Sequence, residues 1–157
     1  MKRTDTLMAG GAVAAVAAVG SALVSQHVFG ILPCAWCVFQ RLLFLLVAAG
    51  CVIALVWRAP LGRRVGAALA LAFAVSGAAA ALWQHFVAAS STSCDLSLAE
   101  RVIGALGLDA RWPNVFMAMA SCADAAVKIL GVPFEFYSLT LFVVLGLAAL
   151  TVLRRPG

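Results

Sequence analysis

Four stretches of this chain stay apolar for the length needed to cross a lipid bilayer, and that limits its fold more than any other feature. They run from about 7 to 27, 35 to 57, 65 to 87 and 136 to 153. A helix covers the hydrocarbon layer with about 20 predominantly apolar residues. In lipid every backbone polar group must be satisfied within its own segment, which makes each run a helix. Composition agrees: the 157 residues are 65% hydrophobic and 11% charged, far less charged than a soluble domain. Residues 1–157 therefore read as a single integral membrane domain, an all-α bundle of four transmembrane helices.

The net charge of +5 does not point to nucleic acid, because of where the charges fall. Lys2 and Arg3 precede the first run, Arg58, Arg63 and Arg64 lie between the second and third, and Arg154 and Arg155 follow the fourth. All seven share one side of a four-helix topology, which the positive-inside rule makes cytoplasmic. Both termini and the loop at about 58–64 are then cytoplasmic, and the loops at about 26–34 and 88–135 face outward. The first run, with Lys2 and Arg3 before it, also has the look of a signal peptide. Apolar character resumes at Val28, however, which suits a retained helix.

That topology sorts the cysteines. Cys34, Cys37, Cys94 and Cys122 lie on the outer face, where disulfides persist, and Cys51 falls inside the second helix as a small core residue. The four outer cysteines allow three pairings. A local Cys34–Cys37 bond leaves Cys94–Cys122, and the other two sets tie the loops together. A bond closing 94–122 could act as a loop staple, stabilising by roughly 3–4 kcal/mol. A Cys-x-x-Cys bond closes too small a loop to stabilise much, so its spacing fits redox or metal chemistry better. Zinc would call for a second close-spaced ligand pair, and none is present.

The stretch PCAWCVFQR, residues 33–41, adds chemistry. Pro33 suits a helix entrance, and free N–H groups at a helix start favour thiolates. Arg41 follows Cys37 by one turn on the same face. A charge inside a span is costly and marks a functional candidate, although a lone arginine could instead snorkel to the headgroups. Beside a dithiol it could donate to a carbonyl of an apolar two-electron acceptor in the bilayer, and a quinone has those properties. In the outer loop, apolar residues from Phe116 to Leu130 recur at helical spacing. They predict a short amphipathic helix over about Asn114–Leu130, lying on the membrane or on the bundle.

These segments resemble the disulfide bond formation protein B (DsbB) family. The likeness runs through QHVFGILPCAWCVFQR at 26–41, SCDL at 93–96 and WPNVFMAMASCADAAVKILGVP at 112–133. It implies an enzyme, a protein dithiol:quinone oxidoreductase of the bacterial inner membrane with its redox loops in the periplasm. The expected partner is a periplasmic thioredoxin-like thiol oxidase (DsbA-like), and the expected cofactor is a quinone, ubiquinone or menaquinone. The resemblance implies that Cys94 receives the partner's attack, spending a Cys94–Cys122 bond. Cys34 then pairs with Cys122, Cys37 faces the quinone, and Arg41 holds it. DsbA-type disulfides are strong oxidants, near about −120 mV, so reoxidising them calls for an acceptor that pulls harder than glutathione. The family often carries a histidine in the outer half of helix three. Here Ala80 takes that position, and His85, about one turn on, is the candidate substitute at the quinone. Two rivals share some of these features. A vitamin K epoxide reductase-like enzyme would carry its Cys-x-x-Cys near the last helix. A non-enzymatic assembly or transport subunit would have structural disulfides and no need of Arg41.

Overall fold

The computed structural model describes residues 3–90 and 96–155. Four of its helices are long and apolar enough to cross a membrane. They are α1 (Arg3–His27), α2 (Ala35–Val56), α3 (Pro60–Phe86) and α7 (Phe134–Arg154). Between α3 and α7 the described residues form a 3-10 turn at Ala88–Ser90 and three short α-helices, α4 (Leu98–Ala105), α5 (Leu108–Arg111) and α6 (Pro113–Phe116). A small antiparallel hairpin follows, in which β1 (Lys128–Ile129) pairs with β2 (Val132–Pro133).

Helix α3 begins earlier than the hydropathy pattern predicts. Pro60 stands at its first position, where the missing N–H is no loss and the fixed φ suits a helix. Arg63 is thereby drawn out of the loop and into the helix. It is buried, and its Nη2 and Nη1 donate to Asp5 Oδ1 (2.8 Å) and Thr4 Oγ1 (3.0 Å) of α1.

The bundle closes on small residues, because bilayer helices associate by close van der Waals packing. Between α2 and α3, a Cβ added to Gly50 would lie 2.7 Å from Ala70 N, and one on Gly66 would lie 2.5 Å from Ala54 N. Gly77 of α3 leaves room for the ring of Phe142 of α7. That ring stacks on Phe44 of α2 with centroids 3.9 Å apart. Cys51 is buried in this packed centre and would be the nearest neighbour of a Cβ on Gly11 of α1.

The long connection between α3 and α7 corrects one expectation: residues 114–130 do not form one helix. After the single turn of α6 the chain is extended or turning until the hairpin. Met119 N and Ala120 N both donate to Pro33 O, at 2.9 and 3.3 Å, which takes N–H groups a helix would use. Ser121 Oγ accepts from Asp124 N and donates to Asp124 Oδ2, and local side-chain bonds of this kind compete with helix. The loop's amphipathic helix is α4 instead. Ser97 and Glu100 form a complete capping box at its start, and its Ile103 packs with Val38 of α2 and Phe116 of α6.

Candidate functional site

The first turn of α2 organises the end of the bundle that carries the long α3–α7 connection. Cys34 is the N-cap residue, in extended conformation, and its sulfur accepts from the Cys37 N–H at 3.4 Å. The two sulfurs are 2.9 Å apart. Cys34 is fully buried. The bonds from loop residues 119 and 120 to Pro33 O deliver Cys122 to the same place, and Cys34 hydrogen-bonds Cys122 as well as Cys37. The N-terminal helix position predicts a readily ionised Cys34, and here the structure differs. Hydrogen bonding with Cys122 and Cys37, together with burial, pushes the Cys34 thiol far above the ordinary range. The bond from Cys34 conversely holds the Cys122 thiol below its ordinary value, against the opposing effect of burial.

Cys37 and Cys122 face different spaces. Cys37 lines a cavity of about 220 Å³ enclosed by α1, α2, α3, α7 and the hairpin. Its wall is mostly apolar, with Gln40, Arg41, Gln84 and Glu135 as its main polar groups besides Cys37. Cys122 lines a wider groove of about 1050 Å³ on the other side, together with Trp36, Trp83 and Leu98. Cys34 stands between the two sulfurs and lines neither space.

Three polar residues of the cavity wall are linked. Gln84 Nε2 donates to Cys37 Sγ (3.3 Å), and Gln40 Nε2 donates to Gln84 Oε1 (2.7 Å). Arg41, only 5% exposed, uses Nη1 twice, toward Gln26 Oε1 (2.7 Å) and Val115 O (2.8 Å). It does not snorkel to the surface. Its Nε and Glu135 Oε2 are buried without a hydrogen-bond partner among the described residues. An apolar cavity with a few convergent polar groups is the usual form of a small-molecule site.

His85 lies elsewhere. It does not line the cavity. Its ring packs against Phe86 and Phe136, and its Nδ1 is 3.9 Å from Glu135 Oε1. The α3 residue that reaches the cavity is its neighbour Gln84. Cys94 falls outside the described residues. Sequence reasoning passed over Gln26, Gln84 and Glu135. All three are buried polar residues close to the ends of apolar runs, and the cost argument applied to Arg41 extends to them.

Comparison with known proteins agrees in extent with the resemblance seen in the motifs. The family described as "Disulfide bond formation protein DsbB" matches residues 4–152. A "Disulfide bond formation protein B" of Herminiimonas arsenicoxydans is 30% identical over 159 residues, covering 100% of both chains. That of Nitrosospira multiformis is 32% identical over 139 residues, covering 86% of this chain and 82% of its own. "Disulfide bond formation protein B 1" of Pseudomonas aeruginosa is 30% identical over 147 residues, 90% of each.

Proposed function

The chain belongs to the disulfide bond formation protein DsbB family of oxidoreductases, and from that premise we propose that it moves electrons from a periplasmic thioredoxin-like dithiol to membrane quinone. The observation that carries this reading is the placing of Cys34 between two sulfurs that open onto different spaces. Cys122 opens onto the groove beside the long loop and Cys37 onto a cavity within the bundle, and in this reading electrons passing through Cys34 leave the loop for the quinone.

The exchange balances as follows. A thiolate of the partner attacks Cys94 in a Cys94–Cys122 disulfide, forming a mixed disulfide and releasing Cys122 as thiolate. The partner's second thiolate attacks its own half of the mixed bond, so the partner leaves oxidised and Cys94 is reduced. Cys122 attacks Cys34 in a Cys34–Cys37 disulfide and releases the Cys37 thiolate. Cys94 then resolves the Cys34–Cys122 bond, leaving Cys34 and Cys37 reduced. In each exchange the thiolate is the nucleophile.

The cavity residues fit a quinone. A cavity of about 150 Å³ accommodates benzene, so about 220 Å³ leaves room for a substituted ring. When bound, the quinone accepts the two electrons and two protons that restore the Cys34–Cys37 disulfide. Arg41, with Nε unpartnered, and the Gln40–Gln84 pair are the donors for its carbonyl oxygens. Gln84 also steadies the sulfur of Cys37 as it gains charge. The bacterial inner membrane, with termini cytoplasmic and the 88–135 loop periplasmic, is the corresponding location.

Purified protein in detergent, given a reduced thioredoxin-like partner and a soluble quinone analogue, tests the reading by quinone absorbance. The expected result is quinone reduction coupled to partner oxidation, lost in Cys37→Ser, with a raised quinone KM in Arg41→Ala. A wild-type protein that oxidises many equivalents of the partner with no quinone consumed would overturn it.

A further inference from the structure

Glu135 is the one buried acidic side chain among the described residues. It sits in the first turn of α7, is 4% exposed, and lines the cavity that holds Cys37 and Arg41. One carboxylate oxygen, Oε2, meets no partner among the described residues. The other, Oε1, is 3.9 Å from His85 Nδ1. A buried carboxyl half left unsatisfied is costly, and it makes no packing contribution that an apolar residue could not. His85 is different. Its side chain is 31% exposed, in the last turn of α3 at the outer end of the bundle. The two residues therefore join the outer surface to the cavity in two steps.

The quinone reading on which this rests gives such a path a task. Overall the reaction is proton-neutral, because a dithiol and a quinone become a disulfide and a quinol. The sulfurs, however, react as thiolates, so protons leave them before the electrons reach the cavity. Two protons must then enter that cavity for each quinol formed. From this we infer that Glu135 is the proton donor to the reduced acceptor and that His85 reloads it from the outer surface. For each quinol formed Glu135 delivers two protons in succession to the quinone, and after each delivery the His85 imidazolium returns one across the 3.9 Å gap, directly after a small side-chain movement or through one bridging water. His85 takes its replacement from solvent.

The other titratable or charged groups around Glu135 do not offer the same route. Cys37 and Arg41 face it from α2, but Cys37 is a reacting sulfur and Arg41 keeps its proton at any working pH. Tyr137 of α7 also lines the cavity, with its hydroxyl donating to Ile129 O of the hairpin. Lys128 of the hairpin is exposed and does not line the cavity. From α1 the lining runs over Ala18–Ser25 and brings no titratable group. Glu135 alone combines a place in the wall with a proton-carrying neighbour that reaches solvent.

Two measurements test this. The first uses quinone-free protein. Infrared spectra of wild type and Glu135→Gln across a pH series identify the carboxyl band of Glu135, and its exchange in D2O is then timed. The expected result is prompt exchange in wild type and loss of the prompt phase in His85→Phe. Equal exchange in both proteins overturns the role of His85. The second is turnover with a soluble quinone analogue. General acid catalysis is worth about 100-fold or more, so Glu135→Gln should lower kcat by about 100-fold with quinone KM little changed. Glu135→Asp should recover part of the rate. Oxidation of a stoichiometric amount of partner by the loop disulfide, without quinone, should stay at the wild-type rate, which shows that the variant is folded. A wild-type kcat and pH profile in Glu135→Gln overturns the inference while leaving the quinone reading intact. A wild-type protein that reduces no quinone overturns both.

Discussion

Arg41 ties the outer loop to the bundle, and Arg41→Ala measures how firmly. Its Nη1 holds Gln26 Oε1 of α1 and Val115 O of the loop, at 2.7 and 2.8 Å. Hydrogen bonds from a charged donor contribute about 1.5–3 kcal/mol each. Against the pair stands the cost of keeping a guanidinium 5% exposed, so we take about 3 kcal/mol as the net loss to loop docking. At about 1.4 kcal/mol per factor of ten, that loss makes the undocked loop about 150-fold more populated. Met119 N and Ala120 N report docking directly, because both bond to Pro33 O. Hydrogen–deuterium exchange of the detergent-solubilised protein should show their protection falling by about 150-fold, while amides around Val47 in the core of α2 stay as in wild type. Arg41→Lys should lie between, since it keeps the charge but not the guanidinium's length and geometry. Cys122 reaches Cys34 through this docking, so Cys34–Cys122 bond formation should slow in step. Unchanged protection at Met119 and Ala120 in Arg41→Ala would refute the reasoning and leave Arg41 as a ligand-holding residue alone.

Two further outcomes follow from local geometry. Gly66→Val should lower the thermal stability of the solubilised protein by about 2–3 kcal/mol through overpacking, because even a Cβ there would lie 2.5 Å from Ala54 N; Gly10→Ala, with nothing within 4 Å, should be neutral or slightly stabilising, and equal melting of the two variants would refute the close-contact account. In a Cys94→Ala background, the pH profile for alkylation of Cys122 should move to higher pH when Cys34 becomes Ala. Alkylation needs the thiolate, and the bond from Cys34 is the largest influence holding the Cys122 thiol down, so its removal raises the pH at which the thiolate forms; a profile that stays put or moves lower would contradict that bond.

The four membrane helices were legible because bilayer crossing imposes a length and a composition that no other feature imitates. Pro60 and the Ser97–Glu100 capping box were legible in principle, as local signals for the starts of α3 and α4. The predicted 114–130 helix failed because its apolar spacing was real but its backbone had another partner in Pro33 O, 86 and 87 positions away in sequence. No local pattern reports such a bond.

The site divides along the same line. Sequence alone picked out the candidates for the chemistry: a dithiol at a helix entrance, an arginine one turn on, and two more cysteines between the third and fourth apolar runs. These follow from residue type and spacing. Only the tertiary structure set the buried Cys34 between Cys37 and Cys122. It alone put Gln84 and not His85 in the cavity wall, and set Glu135 between that wall and His85. The physical reason is that each of these facts is a meeting of separate helices or loops. A helix face is written in the spacing of its residues, but which neighbour it meets depends on how closely Gly50, Gly66 and Gly77 let the helices approach, and that is settled only when the whole bundle packs.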